Sequence, residues 1–108
     1  MNNEVDIPQA PPAPLTIQAS RDPHTGQVYV PPRAFAADGS LRPTQPIDVL
    51  GTGVLYSVTT FNGQLYGVVD LDAGARVQAL LDAGHYAIGQ RLVAVLPAAG
   101  EGLRFTHA

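Results

Sequence analysis

Residues 47–72 read IDVLGTGVLYSVTTFNGQLYGVVDLD. From Val54 the side chains alternate, with Val54, Tyr56 and Val58 on one face and Leu55, Ser57 and Thr59 on the other. β-Branched and aromatic residues are frequent, so Ile47 to Phe61 is predicted to be a strand, interrupted at Gly51 and Gly53. Asn62-Gly63 is a strong hairpin signal, because both central positions of a type I′ turn require positive φ. The segment QLYGVVDLD then returns as the second strand.

The pattern continues towards the C-terminus. Ala73-Gly74 turns the chain into ARVQALLD. Val77, Leu80 and Leu81 in that segment also have helical spacing. The tight turn before it and its short length favour a strand. AGHYAIGQ reads as a loop, RLVAVLP as a strand, AAGEG as a turn and LRFTHA as a last short strand. Five short strands separated by Gly-rich turns imply an all-β fold, a small barrel or sandwich. Gly51 and Gly53 stand where the first strand of a five-stranded OB-fold must coil around the barrel.

Upstream the texture differs. Nine of the ten prolines lie in the first 46 residues. Residues 1–16 form a Pro/Ala-rich arm, since proline offers no backbone donor and disfavours helix before it. Such an arm is either a loose tail or a segment that orders on a partner. Residues 17–46 hold one hairpin, with a turn at Asp22-Pro23-His24-Thr25-Gly26 and a short strand over Gln27–Val30. Residues 47–108 form the barrel.

The composition restricts the function. The chain has 108 residues, 45% hydrophobic and 14% charged, with a formal net charge of −3. A mildly acidic chain is poorly suited to gripping phosphate backbones as its main task. There is no cysteine, which removes disulfides, thiolate metal sites and cysteine nucleophiles together and fits a cytoplasmic protein. The N-terminus lacks the basic start and apolar core of a secretory signal. No run approaches the roughly 18 apolar residues of a membrane helix.

Stand-alone catalytic motifs are missing. His24, His85 and His107 have no nucleophile motif nearby, and there is no Gly-x-Ser-x-Gly. Gly51-x-Gly53 opens a strand, so it is no dinucleotide loop. Asp70 and Asp72 have strand spacing i, i+2 and share a face, as a carboxylate site or as a solvated stripe. Tyr56 and Tyr66 are amphipathic side chains suited to a groove or an interface as well as to a barrel core.

The ordered series of short motifs resembles one family. Gly26, PPR at 31–33, GS at 39–40, GTGVLYSVT at 51–59, VDLDAGARV at 69–77, IG at 88–89 and RF at 104–105 are similar to the acyl-CoA-associated OB-fold proteins that carry an N-terminal rubredoxin-like zinc ribbon beside thiolases. The match spans about residues 18–108. The family's metal positions fall near Asp22, Thr25 and Ala36, with the fourth at Asp38 or Gly39. None supplies a thiolate, and Ala36 has no donor. A structural zinc needs four close N or S donors, so the resemblance implies a degenerate, metal-free ribbon hairpin, held by packing of Tyr29 and Phe35 or by a partner. Asp22, His24 and Asp38 are three hard donors on loops, which more often are simply solvated.

The resemblance further implies a non-catalytic accessory subunit, not itself an enzyme, of a thiolase-like or ketoacyl-synthase-like catalytic subunit. This chain would bind no cofactor of its own. A CoA ester would belong to the complex, its phosphates met by Arg33, Arg76, Arg91 or Arg104, since arginine suits bidentate phosphate contact. Arg33 stands out because it sits on the rigid PPR turn. Tyr29, Phe35, Tyr56 and Tyr66 are the groove or interface candidates. The alternatives are a purely structural partner without CoA contact and a single-stranded nucleic-acid module. The low aromatic content, 6%, and the negative charge argue against the second.

Overall fold

The computed structural model describes residues 14–108; the arm expected over 1–16 lies outside them except for its last three residues. Eight strands are present among the described residues, and no helix. They are β1 (Thr16–Arg21), β2 (Val28–Tyr29), β3 (Gln45–Leu50), β4 (Thr52–Phe61), β5 (Gln64–Leu71), β6 (Arg76–Leu81), β7 (Arg91–Val95) and β8 (Arg104–His107). The first three form a sheet in the order β2-β1-β3, and the other five close a barrel in the order β4-β5-β6-β8-β7. All barrel pairs are antiparallel except β6 with β8, which is parallel. This is the connectivity of a small OB-like barrel.

The hairpin signals have direct physical consequences. Asn62 and Gly63 take φ of 51° and 76°, the type I′ geometry whose twist matches that of the flanking strands. Phe61 then pairs with Gln64, and the ladder runs back to Gly53 opposite Leu71 with one bulge at Tyr56. ARVQALLD is a strand, in register with β5 from Arg76 opposite Asp70 to Leu80 opposite Tyr66. Strand alternation puts Val77, Ala79 and Leu81 inside, and the helical spacing of Leu80 and Leu81 is incidental.

Two expectations are corrected. The strand predicted over Ile47–Phe61 is two strands that belong to different sheets. Gly51 divides them: β3 pairs with β1, and β4 pairs with β5 and β7. A Cβ on Gly51 would lie 2.5 Å from Ala94 Cβ and 2.9 Å from the Leu15 carbonyl oxygen, so only glycine lets the chain pass between the two layers. Phe35, expected to hold the hairpin by packing, is 52% exposed. Ala19, Val28, Ala36 and the buried polar pair Ser20 and Asp22 fill that region instead.

One apolar core links the two layers. Ile17, Ala19, Val28 and Val49 from the sheet join Leu55, Val69, Leu81, Leu92 and Phe105 from the barrel in a single cluster. Every buried side-chain polar atom among the described residues has a hydrogen-bond partner, as a stable interior requires.

Candidate functional site

A groove of about 790 Å³ runs between the sheet and the barrel. Ile17, Val30, Pro31 and Pro32 form its sheet wall, and Val77 and Leu103 its barrel wall. Gln18, Gln78 and Arg76 supply polar groups along it. The volume falls within the roughly 300–1,000 Å³ of small-molecule sites, and a mostly apolar lining with a few polar groups is their usual character.

The chain between β2 and β3, which supplies Val30, Pro31 and Pro32 to the sheet wall, is tied to the sheet and to itself by hydrogen bonds. The Val30–Pro31 peptide is cis. The Arg33 amide donates to Ser20 Oγ at 2.9 Å, and the Thr44 hydroxyl donates to the Arg33 carbonyl. The Ala37 amide donates to the Tyr29 hydroxyl at 3.0 Å. Tyr29 thus serves the turn with its hydroxyl and supports Arg33 with its ring, whose centroid lies 5.5 Å from the guanidinium carbon. Arg33 Nε donates to the Phe35 carbonyl at 3.3 Å.

The four candidate arginines separate into two kinds. Arg76 makes a forked contact to Asp70 (2.6 and 3.2 Å) and covers the Tyr56 ring at 3.6 Å. Arg91 forks onto Asp72 (2.8 and 2.6 Å), which also accepts from Thr52 Oγ1. Arg104 forks onto Glu101 (3.0 and 2.7 Å) and reaches Asp82 at 3.0 Å. The guanidinium of Arg91 and then the Thr52 hydroxyl lower the Asp72 carboxyl to about 2, and the Arg76 guanidinium likewise lowers Asp70. The carboxylate pair at Asp70 and Asp72 is therefore occupied by arginines and is not a free acid–base couple. Among the described residues no carboxylate pairs with Arg33. Its planar fork is the one among the four that is open to an external anion.

The region of the expected metal positions is built around a residue that sequence reasoning passed over. Arg42 Nη2 donates to Asp22 Oδ2 at 2.8 Å and to Asp38 Oδ2 at 2.6 Å. Asp22 is 1% exposed and also accepts the His24 amide and the Thr25 hydroxyl. Contact with Arg42 is the largest influence holding its carboxyl far below the usual range, against the opposing effect of burial. Ser40 first, and Arg42 after it, bring Asp38 to about 2. One guanidinium thus ties the 22–26 turn to the 36–42 loop. The only advance signal was Arg42 four residues after Asp38; its link to Asp22 spans 20 residues. No group of three or more ligating side chains suited to a metal occurs among the described residues.

That bridge predicts a pH response. Both carboxylates have folded values below their ordinary 3.8. Their stabilisation is fully present above that value and is lost as pH falls through it towards about 2. Thermal melts followed by circular dichroism should show the midpoint falling over this interval. Arg42→Ala should lower the midpoint at neutral pH and partly flatten the acid dependence, chiefly through Asp22, for which Arg42 is the largest influence, while Ser40 still holds Asp38 low. EDTA should leave the wild-type midpoint unchanged.

The remaining candidates do not line the groove, although Tyr56 underlies Arg76, which does. Tyr56 and Tyr66 are 50% and 39% exposed on the outside of the barrel, so neither is core. His107 stacks on Tyr86 with ring centroids 4.2 Å apart, and no nucleophile accompanies it.

No family model and no curated protein matches this sequence. Among solved structures the chain is similar to one described as the Ltp2-ChsH2(DUF35) aldolase. The TM-score is 0.69 at 19% identity, over 85% of this chain and 84% of that chain. At that identity the shared property is the fold, consistent with the DUF35 proteins. The expectation of a non-catalytic subunit, not itself an enzyme, is corrected by this match: a solved structure that shares the fold is described as an aldolase.

Proposed function

We propose that the chain is a subunit of an acyl-CoA-processing enzyme complex. Its groove would flank the path of the CoA ester, and Arg33 would hold a phosphate of the CoA. The observation that carries this reading is the state of Arg33. It is fixed by Ser20, Thr44 and Tyr29 on a turn whose Pro32 also walls the groove, and it lacks a carboxylate partner among the described residues. The fold shared with an aldolase structure supports the same assignment. The resemblance to thiolase-associated proteins makes a thiolase-like catalytic subunit the partner.

A single-stranded nucleic-acid role has less support. The three barrel arginines are each matched by carboxylates, so the barrel offers no cationic track for a phosphate backbone.

The test is purification of the complex from native extract, followed by CoA-ester turnover with wild type and Arg33→Ala. Loss of a forked charged contact should raise KM for the CoA ester about tenfold, with the complex still assembling stoichiometrically. Loss of assembly with KM unchanged would instead establish a purely structural subunit. Absence of any enzyme partner would overturn the proposal.

A further inference from the structure

The β4–β5 hairpin has a feature that the CoA reading does not use. From Val49 to Val69 there is no charged residue, although the chain carries fifteen elsewhere, six basic and nine acidic. On its outer face Ser57, Thr59, Phe61, Tyr66 and Val68 line a shallow depression of about 320 Å³, with Phe61 64% exposed.

The same hairpin leaves a strand edge open. β4 pairs with β7 only over Thr52–Val54, and Leu55 completes that side through Gly89 and Gln90. Beyond the bulge at Tyr56, no strand among the described residues pairs with the outer edge of β4. The two-residue turn makes Phe61–Gln64 a hydrogen-bonded pair, and such pairs alternate. Thr59–Tyr66 and Ser57–Val68 are therefore bonded inward, while Val58 and Thr60 turn their amides and carbonyls outward. Natural edges of this kind are usually guarded by lysine, proline or an inward-pointing charge. Ser57–Phe61 has none of them.

We propose that this edge pairs with the same edge of a second copy of this chain. An antiparallel pairing about a two-fold axis through Thr59 matches Val58 with Thr60 of the other copy in both directions, so all four outward main-chain groups of each copy find partners. Such an interface is self-complementary, as a two-fold dimer requires. It joins two uncharged faces, so no like charges meet at the contact although each chain carries a net charge of −3. In this register Phe61 of each copy lies across from Ser57 of the other, and the uncharged face continues over the junction.

Sedimentation of the purified full chain over a concentration series up to about 1 mM tests this. The expected result is a concentration-dependent shift from 11.3 kDa to twice that mass. Thr59→Lys and Thr59→Glu each place like charges face to face on the axis and should weaken association more than about tenfold. The two variants mixed should associate again. Circular dichroism reads whether each variant keeps the β spectrum, and recovery on mixing also reports an intact fold. A monomer across the whole series overturns the proposal, as does a dimer indifferent to both substitutions. So does a mixture that stays monomeric while both variants are folded.

Discussion

A Gly53→Ala chain is expected to lose about 3 kcal/mol of stability, the upper end of the cost of overpacking. Gly53 lies in β4 with neighbours on both sides, Leu71 in β5 and Leu92 in β7. A Cβ there would meet the carbonyl oxygen of Asp70 and come within 2.9 Å of Val69 Cγ1. The obstacle is main chain at the Gly53–Leu71 end of the β4–β5 ladder, so relief requires β4 and β5 to part where β4 also pairs with β7. For a domain of this size the melting midpoint should fall by roughly 10–20 °C. Gly102→Ala is the control. A Cβ there meets nothing within 4 Å, and its effect should stay within about 0.5 kcal/mol. Equal effects at the two positions would show that the approach of β4 to β5 is not what Gly53 serves.

Phe105→Ala is expected to cost about 3–5 kcal/mol, read by urea denaturation. Phe105 is fully buried in the core cluster that includes Leu55, Val69, Leu81 and Leu92. It also sits at the seam of the barrel. The parallel β6–β8 contact consists of two residue pairs, Leu80–Arg104 and Leu81–Phe105, and Phe105 pairs on its other side with Ala94 of β7. Removing the ring leaves a cavity where the fewest main-chain bonds hold the sheet closed. Against a typical total of about 5–15 kcal/mol, much of the stability would be gone. Phe105→Leu fills most of the volume and should cost under about 1.5 kcal/mol.

Both sites were visible in the sequence as types of residue, though not in these roles. Gly53 read as an interruption in a strand and Phe105 as part of a short terminal motif. The barrel itself was legible because strand alternation and the Asn62-Gly63 turn are local signals, each complete within a few residues. The division of residues 47–61 between two layers was not, since β3 and β4 are both strands and only their partners differ.

The candidate site was legible in part for the same reason. The PPR turn marks a rigid bend by its composition alone, and Arg33 was singled out on it. What sets Arg33 apart from Arg76, Arg91 and Arg104 is that the fold brings carboxylates, on β5 and on the connections between the barrel strands, beside the other three. Arg91 meets Asp72 across 19 residues and Arg104 meets Asp82 across 22. Arg42, which joins Asp22 to Asp38, drew no notice because its charge looks like any other until the 22–26 turn and the 36–42 loop face each other. The five barrel strands, their turns and the alternation of their faces are legible because side-chain period and turn chemistry act over short stretches of chain. Which strands are neighbours, which arginines are neutralised and which edge stays open follow from register and barrel closure, which bring together groups far apart in the chain.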